Sequence, residues 1–310
     1  MLRIFTRGGG QTEQVADPTA LWYDLETPSD EEERAVEATL GIDVPTPIER
    51  AAFEESARFY EECEALHLTV TLLGRREEGR FVSGPVSFIL AKDKLVTVRQ
   101  IKPRAFDVGQ GRASARVGSA KNGADMFVAL LEGIVERLSD VLAEATNEVN
   151  DMSAIVFTET NAPNLRQCLR GLGKAGAITA LSQDSLSSLQ RMLAFARLAC
   201  TRHNLSDERL KALERDVAEL ERLAEALQSR MSYIQDAALG LINATQTDVL
   251  KALSVATIAF VPATLIASIF GMNFTAMHWF QEGWGPWAAF ALMVFAPAAL
   301  FGLAKWRGWF

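Results

Sequence analysis

Two uncharged apolar runs close the chain, and they constrain it more than anything before them. Leu250 to Phe270 reads LKALSVATIAFVPATLIASIF, with Lys251 near its start as the one charge. Trp287 to Leu303 reads WAAFALMVFAPAALFGL and carries none. About 20 apolar residues are needed to cross a ~30 Å hydrocarbon core, and the first run meets that length. The second is shorter. It is flanked by Trp284 and Trp287 at one end and Trp306 and Trp309 at the other, the arrangement of an interfacial aromatic belt. A buried hairpin of a soluble domain is the alternative, but the remaining polar chain offers little to cover two such runs. The sequence therefore predicts a two-helix C-terminal transmembrane hairpin, with spans at about 250–270 and 287–303 and an outer loop over 271–286.

Basic residues orient it. Lys251 stands at the start of the first span, and Lys305 and Arg307 follow the second. The loop from Gly271 to Pro286 has no Lys or Arg and a single acid, Glu282. The positive-inside tendency puts both termini in the cytoplasm and the loop outside. The N-terminal MLRIFTRGGGQTEQ lacks the apolar core of a signal peptide, which agrees. The formal net charge is -8, from 31 Lys+Arg against 39 Asp+Glu. So acidic a chain is a poor binder of nucleic acid. Cys63, Cys168 and Cys200 form no CxxC pair and read as reduced structural thiols.

The first span is not uniformly apolar. At about 100° per residue, Leu250, Ser254, Thr257, Val261, Thr264 and Ser268 fall within about 40° of one line, and Leu253 borders it. Such a stripe of small and hydroxylated side chains serves either close helix packing or, with several copies around an axis, the wall of a water-filled path. Pro262 lies inside the helix, where it bends the axis or frees a carbonyl.

Upstream, Leu210, Leu213, Val217, Leu220, Ala224, Leu227, Met231, Ile234, Ala238 and Leu241 keep a 3,4 spacing, a coiled-coil-type seam. No strong stop separates this seam from the first span, so one helix of roughly 60 residues, on the order of 90 Å, is expected. Seam and hydroxyl stripe are about half a turn out of phase and face opposite ways. Residues 124–157 and 165–196 read as an antiparallel helical pair, with a turn from Asn161 to Asn164. The first 120 residues alternate differently. ALWYDL, HLTVTLLG, PVSFILAK and KLVTVRQI are strand-like, and PSDEEERAVEATLG carries a helix with a Ser29–Glu32 capping box and a stop at Gly41. GRASARVGSAKNG, 111–123, reads as a connector. The expected organisation is an α+β cytoplasmic domain over 1–120, a helical pair and stalk over 121–249, and a transmembrane domain over 250–310. No phosphate loop, nucleophile–base set or His/Cys cluster at ligand spacing is present. Neither an enzyme nor a resident cofactor is expected.

Gly271-Met272-Asn273 stands at the outer end of the first span. With LWYDLETPSDEEERAVEATLGI, GPVSFILAKDKLVTV and SLSSLQRMLAF before it, this arrangement resembles the CorA family of divalent-cation transport proteins along essentially the whole chain. The resemblance implies a CorA-like homopentamer in an inner membrane, shaped as a funnel, with five first-span helices around a central pore. It places Leu250, Leu253, Thr257, Val261, Thr264 and Ser268 along that pore, beside Ser254 from the helical geometry. It makes Gly271, Met272 and Asn273 a selectivity loop. Asn273 would meet Mg2+ through its water shell, since Mg2+ sheds water reluctantly and prefers oxygen ligands. The helix-end cap is the plain alternative for Asn273.

The chain departs from the family at Met277-His278-Trp279-Phe280, where many members have Met-Pro-Glu-Leu, and at Phe270, where Tyr is usual. Glu282 is a substitute for the missing acid. His278 inclines the mouth toward Zn2+, Co2+ or Ni2+, which imidazole suits, or is an interfacial loop residue. The family also senses internal Mg2+ through cytoplasmic acids; Asp93, Glu208, Glu214 and Glu219 are the candidates. Gated Mg2+ influx, with Co2+ and Ni2+ as further substrates, is the leading expectation. A proton-coupled, ZntB-like Zn2+ transporter is the near alternative, and a membrane-anchored coiled-coil scaffold without transport the distant one.

Overall fold

The computed structural model describes residues 1–6, 10–12, 15–51, 54–62, 64–75, 81–103, 106, 118–158, 162–271 and 284–307. They divide into two compact units, Met1–Glu159 with Arg166–Gln235, and Thr160–Leu165 with Asp236–Phe310.

The first unit is built on a seven-stranded sheet. Its strands are β1 (Leu2–Thr6), β2 (Gln11–Thr12), β3 (Ala20–Glu26), β4 (Phe59–Glu62), β5 (Ala65–Arg75), β6 (Phe81–Ala91) and β7 (Lys94–Arg99). They lie in the order β2-β1-β3-β7-β6-β5-β4. Only β3 and β7 run parallel, with Trp22 opposite Leu95 and Glu26 opposite Arg99; the other pairs are antiparallel. The four expected strands are β3, β5, β6 and β7. The structure adds β1, β2 and β4, which are short and lie toward the sheet's two edges.

Alternation in β3 sends successive residues to opposite faces. Trp22 joins the larger core, stacked on Phe5 at 4.4 Å. Tyr23 and Leu25 join the smaller one, with Val36 of α1 (Asp30–Leu40). Helix α1 begins as the sequence indicates. Ser29 Oγ accepts from the Glu32 N–H, and the Glu32 carboxylate accepts from the Ser29 N–H. It ends at Gly41, whose φ of 68° is left-handed, a conformation glycine adopts without a Cβ clash. Two short helices follow, α2 (Pro47–Ala51) and α3 (Glu55–Arg58).

Where β3 and β7 meet, a polar network is sealed inside. The Trp22 indole donates to Thr97 Oγ1 at 2.9 Å, and Thr97 donates on to Asp24 at 2.9 Å. Arg99 reaches Asp24 through Nε and Nη2 at 3.0 and 2.9 Å, Glu26 at 2.6 Å and the Ile101 carbonyl at 2.8 Å. Asp24 is 0 % and Arg99 2 % exposed. Burial opposes the Arg99 charge, but the hydrogen bond and charge of Asp24, and then Glu26, outweigh it and hold its pKa above the ordinary value.

Three long helices follow: α4 (Gly123–Thr158), α5 (Ala162–Leu198) and α6 (Asp207–Gly271). The first residue of α4 touches the sheet. A Cβ on Gly123 would run into the backbone of Lys94, so any other residue forces the helix or the strand to shift. Of the expected connector, 111–117 lies outside the described residues. Met152 of α4 meets Gly171 and Cys168 of α5, so the two helices pack side by side. Of the expected Asn161–Asn164 turn, 162–164 already belong to α5, with Pro163 in its first turn, where its missing N–H costs nothing; Asn161 lies outside the described residues.

Helix α6 is a single element of 65 residues, from seam to span, as the absence of a stop signal predicts. Leu210, Leu213, Val217, Ala224, Leu227, Met231, Ile234 and Ala238 of its seam are buried. The last helix, α7 (Gly285–Trp306), contains the second span. Both α6 and α7 are long and apolar enough to cross a membrane.

Candidate cation path and its acidic surroundings

The stripe predicted on α6 can be followed side chain by side chain in the second unit. Leu250, Leu253 and Val261 are 61 %, 62 % and 56 % exposed on the isolated chain. Ser254, Thr257, Thr264 and Ser268 are exposed as well. A shallow groove is lined by Thr247, Leu250, Lys251, Leu253, Ser254, Thr257 and Ile258. Thr247 lies three residues before Leu250, about 60° from it, and borders the stripe as Leu253 does; reading the stripe inward past the apolar run would have found it.

The hydroxyl protons of Thr247, Ser254, Thr257 and Thr264 are committed to the helix itself. Ser254 donates to the Leu250 carbonyl at 2.8 Å and Thr257 to that of Leu253 at 2.9 Å. Thr264 divides its proton between Phe260 at 2.9 Å and Val261 at 3.0 Å. Thr247 does the same with Asn243 at 2.9 Å. A hydroxyl has one proton and two lone pairs. With the proton bound inward, each oxygen meets its surroundings as an acceptor. Water around a cation points its hydrogens outward, and acceptors are what such a shell needs. Pro262 has no N–H, so the Ile258 carbonyl, four residues earlier, lacks its helical donor and adds one more acceptor at this level.

Gly271 is the last residue of α6 and is exposed. Met272, Asn273, His278 and Glu282 lie outside the described residues.

The candidate sensing acids Asp93, Glu208, Glu214 and Glu219 are not brought together. Asp93 is exposed in the turn between β6 and β7, where its backbone carbonyl accepts from the Gly123 N–H. It shares an open pocket with Glu61, Glu62, Glu64, Lys92, Arg202 and His203. Glu61 in that pocket is already paired with Arg202 at 2.6 Å. Glu208 is exposed, Glu214 is bound to Arg197 at 2.8 Å, and Glu219 lies in a separate groove with Glu132, Glu136, Asp140 and Asp216. That groove between α4 and α6 was not read from the sequence. Its signal is the i, i+4 spacing of Glu132, Glu136 and Asp140. Among the described residues, no group of three or more His, Cys, Asp or Glu side chains is placed to hold a metal ion.

Comparison with known proteins places this arrangement in a wider set. The family model described as "CorA-like Mg2+ transporter protein" matches residues 17–307. The chain is 28 % identical over 308 residues to the magnesium transport protein CorA of Haemophilus ducreyi, covering 99 % of this chain and 96 % of that one. The complete CorA magnesium transporter of Methanocaldococcus jannaschii superposes with a TM-score of 0.76 at 18 % identity, over 100 % of this chain and 99 % of the other. The cytoplasmic domain of ZntB from Vibrio parahaemolyticus superposes with a TM-score of 0.54 at 16 % identity, over 78 % of this chain and 98 % of its own. At such identities the structural likenesses establish the fold.

Proposed function

The chain belongs to the CorA-like Mg2+ transporter family, and from that premise we propose that it conducts Mg2+ into the cell through a pore lined by the α6 stripe. The observation that carries the reading is the family match over 17–307, which takes in the α+β unit, the long helix, Gly271-Met272-Asn273 and both spans. The curated relatives that span nearly this whole chain are magnesium transport proteins, which favours Mg2+ over Zn2+.

One helix cannot enclose a path, so the reading requires copies around an axis; we take the assembly to be a homopentamer in the inner membrane with both termini cytoplasmic. Gly271, Met272 and Asn273 form the outer mouth. A ring of neutral Asn273 carbonyls accepts hydrogen bonds from hydrated Mg2+ and, being uncharged, releases it again, as conduction requires. Thr257 and Thr264 continue the ring of acceptors inward, with their protons turned into the helix. Leu250, Leu253 and Val261 form apolar constrictions that close by expelling water. A divalent ion moved across 100 mV gains about 4.6 kcal/mol, so the membrane potential drives entry without a nucleotide. Occupied cytoplasmic acids, Asp93 among them, would regulate closure. Co2+ and Ni2+ are further substrates.

The test is parallel uptake of Mg2+, Zn2+ and Co2+ into liposomes holding the purified full chain. Mg2+ uptake that depends on an inside-negative potential is expected. Zn2+ uptake without Mg2+ uptake would assign a ZntB-like activity instead, and no uptake of any ion by an intact oligomer would leave a scaffold.

A further inference from the structure

The helical pair α4–α5 separates its charges in a way that a lone copy does not use. From 138 to 158, α4 carries Asp140, Glu144, Glu148 and Asp151 and no Lys or Arg. From 162 to 183, α5 carries Arg166, Arg170 and Lys174 and no Asp or Glu. The two segments are antiparallel neighbours at the same level of the pair, since Met152 meets both Cys168 and Gly171. Intrachain pairing would be the simplest use of such proximity, and it does not occur. Asp140 is bound to Arg137 of its own helix at 3.6 Å. Glu144, Glu148, Asp151, Arg166, Arg170 and Lys174 make no ion pair or hydrogen bond among the described residues. All but the half-buried Glu148 are exposed.

Helical phase explains why they miss each other. On α5, Arg166, Arg170 and Lys174 recur every fourth residue, centred about 130° from the Cys168–Gly171 side that faces α4. On α4, Asp151 and Glu144 lie about a quarter-turn from the Met152 side that faces α5, and the half-buried Glu148 about 40° from it on the same flank. The pair therefore presents an acidic edge on one helix and a basic back on the other, with similar near-helical spacing and overlapping height. Two different faces that complement each other on one chain are the requirement for a head-to-tail contact that closes into a ring. Opposite charges in such a contact select the partner and its register more than they add raw affinity.

We propose that the acidic edge formed by Glu144, Glu148 and Asp151 docks on the basic back formed by Arg166, Arg170 and Lys174 of a second copy of this chain, repeated around the assembly. The inference rests on the self-assembly proposed above and names the surface that sets its order. A lipid surface would use the basic back alone; the acidic edge, similar in spacing and overlapping in level, makes a second copy the better fit.

The experiment is mass photometry of the detergent-solubilised full chain over a dilution series. Three variants are compared with the wild type: Glu144→Lys, Glu148→Lys and Asp151→Lys together; Arg166→Glu, Arg170→Glu and Lys174→Glu together; and all six in one chain. Each three-fold reversal sets like charges against each other and is expected to raise the dissociation midpoint by about tenfold. The six-fold variant exchanges the faces and is expected to return to within about twofold of wild type, which a folding defect would not do. A wild type that is monomeric throughout would remove the self-assembly reading itself. An assembled wild type with both three-fold variants unchanged would overturn this inference alone, as would a loss that the six-fold variant fails to reverse. The inference is equally overturned if the Arg166/Arg170/Lys174 reversal leaves the assembly intact and instead abolishes binding to vesicles of anionic phospholipid.

Discussion

Arg99 and His67 show how differently two buried titratable residues stand in this protein. Arg99 has its charge answered by Asp24 and Glu26. Removing it leaves the buried Asp24 with only Arg3 and Thr97 as partners, and breaking a buried pair costs about 3–5 kcal/mol. Arg99→Leu is therefore expected to destabilise the chain by that order in chemical denaturation, and adding Asp24→Asn to it should recover part of the loss. His67 has no such answer. It is 2 % exposed, stacked on Tyr60 at 4.6 Å, and its Nδ1 has no hydrogen-bond partner. Burial pushes its pKa below the ordinary value, against the opposing pull of Asp43 and Glu49. The unfolded chain then binds a proton below about pH 6.5 that the folded chain refuses. Stability is present above that pH and is lost as pH falls toward the lowered folded pKa. Thermal melts at stepped pH should show this slope in the wild type and a shallower one in His67→Phe, which keeps the ring stack. Asp24 and Arg99 lie 75 residues apart. Nothing local in ALWYDL or KLVTVRQI says that these two strands are parallel neighbours, so the network was not legible in the sequence.

Among the elements, those with a sustained period were legible and those defined by a partner were not. The seam of α6 and the apolar faces of α4 and α5 repeat for many turns, and the helices are found with ends within a few residues of expectation. Helix α1 announces itself through Ser29, Glu32 and Gly41, which act within one turn of each end. Strands β1, β2 and β4 are 5, 2 and 4 residues long, too short for alternation to stand out, and exist because a neighbour pairs with them. Gly123 belongs to the same lesson. In sequence it closes a Gly- and Ser-rich connector; in the fold it lets the first turn of α4 touch the backbone of β7. Gly123→Ala should cost about 1–3 kcal/mol through overpacking, measured as a lower denaturation midpoint. Little change would mean that α4 can lift from the strand without loss.

At the scale of the whole molecule, one helix joins a folded α+β unit to a membrane span, and its two faces serve different tasks. The seam is buried within the chain, while the stripe from Thr247 to Ser268 is left open on a single copy. The stripe was legible because it needs only helical phase. What the phase does not reveal is the proton: Ser254, Thr257 and Thr264 all donate into their own helix and turn acceptor oxygens outward. On the proposed function, hydrated Mg2+ passes along these acceptors from a mouth formed by Asn273. The decisive measurement is potential-driven Mg2+ influx into liposomes containing the wild type or Asn273→Ala, with the oligomer checked before and after. Asn273→Ala is expected to assemble normally and to lose at least about tenfold of the influx, the loss of a hydrogen-bonding ring worth about 1.4 kcal/mol or more. Undiminished influx in a correctly assembled Asn273→Ala protein would contradict that function.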